Sequence, residues 1–281
     1  MKLEQMDGRV AVITGGSSGV GLAVAKGLAR LGAHTILLSR QEGNTKRAVE
    51  EVKHVTGSNT VEFALCDITD PVAVHRLIRD FELRFPRIDV MVSAAGSVGE
   101  TGVTSAGIPR SFATNYLGHF LFVRAALPLM EKALDGRILI VGIAPVLIKR
   151  LKNIEYDVVD SKSPSTALMN QAVAWKLLLA HHLAITHPAK PSVNIFHPGL
   201  IRSNLLSGGN LALRSIGTVF NIFGKDRCVV AENLASSRSF SGITGQMFDD
   251  HSRIVRLPAI ITNEHADRVW KASVSITERN S

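Results

Sequence analysis

The chain has 281 residues and a net charge of +8, so it can bury a large core and its surface favours anionic ligands. With 46% hydrophobic and 20% charged residues it has the balance of a soluble globular protein. No run of about twenty apolar residues suggests a membrane span, and the opening MKLEQMDGRV lacks the apolar segment of a secretory signal.

The first apolar run, Arg9–Thr14, reads as a buried strand, and a helical pattern follows over 19–31. Between them lies Thr14-Gly15-Gly16-Ser17-Ser18-Gly19-Val20-Gly21. Glycines in a strand-to-helix turn let the backbone approach a pyrophosphate at the helix N-terminus. Gly15, Ser17, Ser18, Gly19 and Gly21 are therefore candidate cofactor-binding residues. The second strand, Thr35–Leu38, runs into Ser39-Arg40, where an NAD site would place an acidic residue for the ribose hydroxyls. The planar fork of Arg40 suits a 2′-phosphate instead, with Lys46 further on, so NADP(H) is favoured.

The alternation continues with a helix over 43–55, strand Val61–Leu65, a helix over 70–84, strand Val90–Val92, a helix over 106–132, strand Ile138–Val141, a helix over 165–186 and strand Val193–Phe196. A helix-rich insertion follows around 204–223, inside a substrate-loop region at 200–226. A short strand, Gln246–Phe248, and a helix over about 263–277 close the chain. Alternating β and α elements imply an α/β fold, a doubly wound parallel sheet with helices on both faces. No linker or internal repeat divides it, so a single domain over 1–281 is expected.

The basic residues are dispersed. Only Lys149, Arg150 and Lys152 form a compact cluster, and no recognition helix or RNA-binding signature accompanies them, which argues against a nucleic-acid partner. Cys66 and Cys228 lie far apart in sequence and outside any metal-ligand spacing. They read as packed thiols of a reduced chain; a cytoplasmic location and no metal site are expected.

Four further motifs extend the pattern. Asp67, in Cys66-Asp67-Ile68, ends the third strand. Ser93-Ala94-Ala95-Gly96 follows the fourth. Asn115 lies within Thr114-Asn115-Tyr116-Leu117-Gly118-His119-Phe120. His197-Pro198-Gly199, with Ile201 and Ser203, follows the sixth strand. In this order, and with the glycine-rich turn, they resemble the short-chain dehydrogenase/reductase family over nearly the whole length. The resemblance implies a Rossmann-like fold with Asp67 at the adenine and Ala94, Ala95 and Gly96 beside the cofactor. It also implies Asn115 as a member of the catalytic tetrad, and Pro198, Gly199, Ile201 and Ser203 around the nicotinamide. Relatives of this kind pair two-fold through the helix that here contains Leu168–Leu183. That helix is apolar over most of its surface and needs burial on more than one side, so a homo-oligomer, dimer or tetramer, is expected.

The family's acid/base is missing. The only tyrosines are Tyr116 and Tyr156, and the residues four positions on are Phe120 and Asp160, so no Tyr-x-x-x-Lys exists. Aligned on the fifth strand, Ile143 takes the place of the family's serine. Counted back from His197-Pro198-Gly199, Leu168 replaces the tyrosine and Ala172 the lysine, and these three are candidate substrate-pocket residues. Asn115 is the one tetrad member retained. Tyr156, in a polar stretch ending at Pro164, is a speculative catalytic residue. Lys176, one helical turn beyond Ala172, carries a structural or solvent role on this reading.

Hydride transfer needs the cofactor and substrate in register, and a carbonyl also needs a proton donor. Without the tyrosine, the sequence points to a bulky apolar small molecule with an activated C=N or conjugated group, or to a cofactor-supported cyclisation. In lacking the pair, the chain looks similar to relatives in fungal alkaloid pathways that act as iminium reductases or Diels–Alderases. The alternative is a catalytically inactive NADP(H)-binding sensor or scaffold.

Overall fold

A computed structural model describes residues 2–157, 165–203 and 224–278. The elements alternate as the apolar runs require: β1 Val10–Thr14, α1 Gly19–Arg30, β2 His34–Ser39, α2 Glu42–Thr56, β3 Val61–Leu65, α3 Pro71–Arg84 and β4 Val90–Ser93. Then come α4 Arg110–Phe112, a π-helical turn Ala113–Leu117, α5 Gly118–Glu131, β5 Arg137–Val141, α6 Pro145–Ile148, α7 Ser165–Thr186 and β6 Ser192–Phe196. The last elements are α8 Val229–Ser236, a 3-10 turn Arg238–Phe240, β7 Met247–Phe248, β8 Ile254–Val255 and α9 Asn263–Glu278.

The strands form one eight-stranded sheet in the order β3-β2-β1-β4-β5-β6-β7-β8. Every pairing is parallel except β7 with β8. One apolar layer lies between the sheet and the face carrying α3, α5, α7 and α9; the other joins it to α1, α2 and α8. This is the doubly wound arrangement expected. Strand order reverses between β1 and β4, where a crevice opens beyond the strands' carboxyl ends.

The strand and helix boundaries agree with the sequence expectation to within a few residues. The helix expected over 106–132 begins at Arg110 and passes through the π turn. The short elements α6, α8 and β8 were not anticipated; β8 has two residues, with Ile254 exposed, too few to show an alternation. The insertion expected at 204–223 lies outside the described residues.

The C-terminal helix accounts for the apolar character of α7. Residues 171–180 of α7 are all buried, and α9 packs along it. Trp270 of α9 stacks on His182 at 4.4 Å between centroids and meets Phe120 edge-on at 5.1 Å. The Tyr116 hydroxyl lies 2.7 Å from Ser273 Oγ, which in turn donates to the Val269 carbonyl at 2.7 Å. The apolar surface on which an oligomer was expected is thus covered within the chain, and that ground for an oligomer is removed. If α9 supplies this burial, Trp270→Ala will lower the unfolding free energy by about 2 kcal/mol and Tyr116→Phe by about 1 kcal/mol. Urea denaturation followed by circular dichroism checks both, with Val72→Ala, at an exposed site on α3, as a near-neutral control.

Candidate functional site

The crevice at the switch point is a cleft of about 500 Å³. One wall is the turn from β1 to α1. Gly15 adopts φ +67°, and a Cβ there would stand 2.8 Å from Ala95 Cα, so only glycine lets the β1 and β4 loops approach this closely. A Cβ on Gly21 would fall 2.3 Å from the Gly15 carbonyl oxygen; this glycine lets α1 pack beneath the turn instead of facing the cleft. Ser18 N-caps α1 without a side-chain hydrogen bond, and the helix has no acidic residue in its first turn. Its N-terminal amides and positive dipole end are therefore placed to receive an anion.

Thr14 Oγ1 accepts hydrogen bonds from the Ala94 and Ala95 amides at 3.0 and 3.1 Å, which binds the ends of β1 and β4 together. Asn115, at the centre of the π turn, donates through Nδ2 to the Ser97 and Ser111 carbonyls at 2.9 and 2.8 Å and accepts from the Ser97 amide at 3.2 Å. The π turn, an irregularity common at functional sites, is thereby tied to the loop after β4. Glu100 closes that loop by accepting from Ser97 Oγ at 2.6 Å and Thr114 Oγ1 at 2.8 Å.

At the outer end, Ser17 Oγ and Ser39 Oγ are 3.1 Å apart, with Arg40 and Asn44 beside them in the cleft. The Arg40 guanidinium lies 3.8 Å from Asp67 and 3.6 Å from Glu100. Asp67 accepts from the Thr69 amide and hydroxyl at 3.0 and 2.8 Å, so its carboxylate shapes the loop after β3 as well as facing the cleft. Lys46 instead pairs with Glu42 along α2 at 2.7 Å.

The inner end is largely apolar, formed by Val141, Gly142 and Ile143 and by Met169, Ala172 and Val173 of α7. Lys176 enters from the same helix. It is buried, its Nζ makes one 3.4 Å hydrogen bond to the Val141 carbonyl, and burial lowers its pKa from the usual lysine value to about 8. Behind it, His119 is held neutral first by burial and then by the Lys176 charge. Its Nε2–H donates to the Ala95 carbonyl at 2.7 Å, leaving Nδ1 to accept from the Ser93 hydroxyl. Cys66 also lines the cleft, but burial pushes its thiol up to about 12, the value Cys228 also reaches in the core; neither is a reactive thiolate.

The cleft gathers most of the residues singled out in the sequence: Gly15, Ser17, Ser18, Gly19, Arg40, Asp67, Ala94, Ala95, Gly96, Asn115, Ser203, Ile143 and Ala172. It does not gather all of them. Pro198 and Gly199 lie outside its lining, and Ile201 lines an adjoining hollow with Lys26 and Arg202. Leu168 is packed in the core, and Met169 takes the cleft position. Tyr156 is also outside: its hydroxyl is hydrogen-bonded to His265 Nδ1 and Arg268 sits 3.7 Å over its ring. The cause is local. Trp175 and Gln171 donate to the Glu155 and Asp157 carbonyls at 2.7 Å each, which fixes the extended segment against α7 while Tyr156 packs against α9. Lys176 is the converse case, a residue given a structural or solvent role that is buried and lines the cleft. Three acidic and histidine side chains, Asp249, Asp250 and His251, do come within 4.8 Å of one another in the β7–β8 turn. Asp249 there is already engaged by the His251 and Arg253 amides and the Arg253 guanidinium.

The family model for short chain dehydrogenases matches residues 9–156, more than half of the chain. The chain belongs to the short chain dehydrogenase family. Human polyprenol dehydrogenase is 23% identical over 280 residues, covering 96% of this chain and 85% of its own length. Human retinol dehydrogenase 14 is 26% identical, covering 95% of this chain and 86% of its own. Among solved structures, a short chain dehydrogenase from Shigella flexneri superposes with a TM-score of 0.69 at 20% identity, covering 92% of this chain and 96% of its own. A Shigella flexneri 2a chain complexed with NADP gives 0.69 at 20% identity, covering 89% and 100%. No helix among the described residues is long and apolar enough to cross a membrane.

Asn115 makes three hydrogen bonds from a buried position, so Asn115→Ala will cost about 2–3 kcal/mol and loosen the loop at 97–100. Hydrogen exchange should show faster exchange of the Ser97 amide, together with a lowered melting temperature. Unchanged protection at Ser97 would contradict this positioning role.

Proposed function

We propose that the cleft binds NADP(H) and that this protein is an oxidoreductase acting on a bulky apolar small molecule. The observation that carries the reading is the continuity of the cleft, from the uncapped end of α1 and Arg40 to an apolar pocket around Ile143 and Ala172. The donor set fits the cofactor. The amides of α1 and of the turn at 15–19 would receive the pyrophosphate, and Ser17, Ser39 and Arg40 would receive a 2′-phosphate. The bound cofactor supplies or accepts a hydride at the inner end.

The residues of the chain define what else is done there. Asn115 and Thr14 hold the two loops that frame the inner pocket. Ile143, Met169, Ala172 and Val173 exclude water and favour an apolar substrate. Neither the family's tyrosine nor its serine is replaced by a hydroxyl among these residues, which supports a substrate with an activated C=N or conjugated group. Between these two, the buried ammonium of Lys176 favours a neutral conjugated group, because a second cation in a poorly solvated pocket is repelled.

If Arg40 reads the 2′-phosphate, Arg40→Asp will weaken NADPH binding about 10–100-fold, as expected for loss of a charge-assisted pair of about 1.5–3 kcal/mol, and will improve NADH binding. Isothermal titration with both cofactors decides, and equal NADPH affinity in the two proteins would remove the assignment. Turnover is then read as NADPH oxidation over neutral enones, imines and cyclisable indoles. Product without oxidation would favour the alkaloid-like cyclisation, and binding without any turnover would favour a sensor or scaffold.

A further inference from the structure

The ammonium of Lys176 has three N–H donors and one hydrogen bond to a carbonyl, at 3.4 Å. It is only 9% exposed, yet it lines the cleft beside Ile143 and Ala172. A buried cation with most of its donors unused is costly as a structural element, since a carboxylate or several carbonyls would normally surround it. Among the described residues few groups are placed against it. From α5 there is His119, held neutral. From the end of β5 there are the backbone and the apolar side chains of Val141 and Ile143. From the β4 loop Ala94 and Ala95 line the same cleft, while the Ser93 hydroxyl at the end of β4 is hydrogen-bonded to His119 Nδ1. The charged groups of the cleft, Arg40 and Asp67, line it together with the nucleotide-binding turn, and they pair with each other.

We propose that Lys176 is the proton donor of the reaction, acting from one helical turn beyond the position where the family carries its lysine, on the cleft wall it shares with Ala172. This rests on the oxidoreductase reading above. In a neutral conjugated ketone, a hydride adds to the β-carbon with its electron pair, the π electrons move onto the carbonyl oxygen, and that oxygen takes a proton from Nζ. The enol so formed reverts to the ketone in water, and the neutral amine recovers its proton from solvent. A preformed iminium ion gains nothing from such a donor, because hydride addition already neutralises it.

The pKa of about 8 sets the pH window. The donor is charged below this value and is lost above it, so reduction rates fall as pH rises through about 8. The test uses the full chain, Lys176→Met and Lys176→Arg, with NADPH and trans-chalcone as the conjugated ketone and N-methyl-3,4-dihydroisoquinolinium as the cationic control. Lys176→Met should lose about 10²–10⁴-fold in kcat on chalcone, bind NADPH within a few-fold of the parent and melt no earlier. Lys176→Arg should bind NADPH and show no inflection near pH 8. A readout independent of turnover is acetic-anhydride labelling of the cofactor-free protein, followed by mass spectrometry. Lys176 should label with a midpoint near pH 8 and be protected by NADP. Lys176→Met with parental kcat and pH profile overturns the proposal while leaving the oxidoreductase reading intact. So does a variant that loses only NADPH affinity, since the ammonium would then be a cofactor-binding group, and so does labelling with an ordinary surface-lysine profile. Failure of the parent protein to bind NADPH, or to reduce either probe, overturns both readings.

Discussion

Two hydrogen bonds to one hydroxyl hold the candidate site together. Thr14 Oγ1, at the end of β1, accepts the amides of Ala94 and Ala95 just beyond β4. These are the neighbouring strands between which the order of the sheet reverses, so their connections leave toward opposite faces and a crevice opens between them. The hydroxyl satisfies two amides that would otherwise end the strand unpaired, and it sets the distance between the walls. Gly15 tolerates that distance because it has no Cβ to press on Ala95. The glycine-rich turn is therefore as much a consequence of the approach of two loops as of any ligand, and both functions use the same residues.

The second constraint is the covering of α7. A helix apolar on nearly every side must be enclosed, and the sheet can enclose only one side. Here α4, the π turn and α9 complete the enclosure, with Trp175 wedged edge-on against Phe112 and Tyr116 at 5.3 and 5.2 Å. Because α7 is fixed along its length, the stripe Met169, Ala172, Val173 and Lys176 is presented to the cleft in one rotational setting. The same enclosure holds the backbone at Glu155 and Asp157 against α7 and keeps Tyr156 on the far side, against His265. The burial of α7, the exclusion of the tyrosine and the aim of the lysine are consequences of one packing arrangement.

Much of this was legible in the sequence, and the exceptions share a cause. The six long parallel strands announce themselves as apolar runs because both faces of the sheet are covered. The place of Arg40 and the glycine-rich turn at the cleft was legible because it depends only on neighbours in the chain. Leu168 was misplaced because counting back from Pro198 fixes a register along the helix but not the direction of a side chain. At 100° per residue, Leu168 lies roughly 90° around from the middle of the stripe that faces the cleft. The covering of α7 was assigned to a second copy because nothing local to α7 says that a helix some eighty residues later will lie on it. His182 and Trp270 become partners only through the fold.

Lys176 shows the same limit from the other side. A lysine in a helix of leucines and alanines is usually a surface residue whose stem lies over apolar neighbours while its charge reaches water. Here the side chain instead lines the cleft beside Ala172, with its ammonium on the Val141 carbonyl. The protein therefore bears the desolvation of one ammonium, which lowers its pKa, with no carboxylate among the described residues to offset it. A charge retained under those conditions stabilises an anion wherever one forms within its reach. The loss of the tyrosine removes the family's proton donor from this pocket without removing the electrostatic demand of the chemistry. An ammonium one turn deeper answers that demand for a substrate that develops negative charge on oxygen, and it opposes one that arrives already positive.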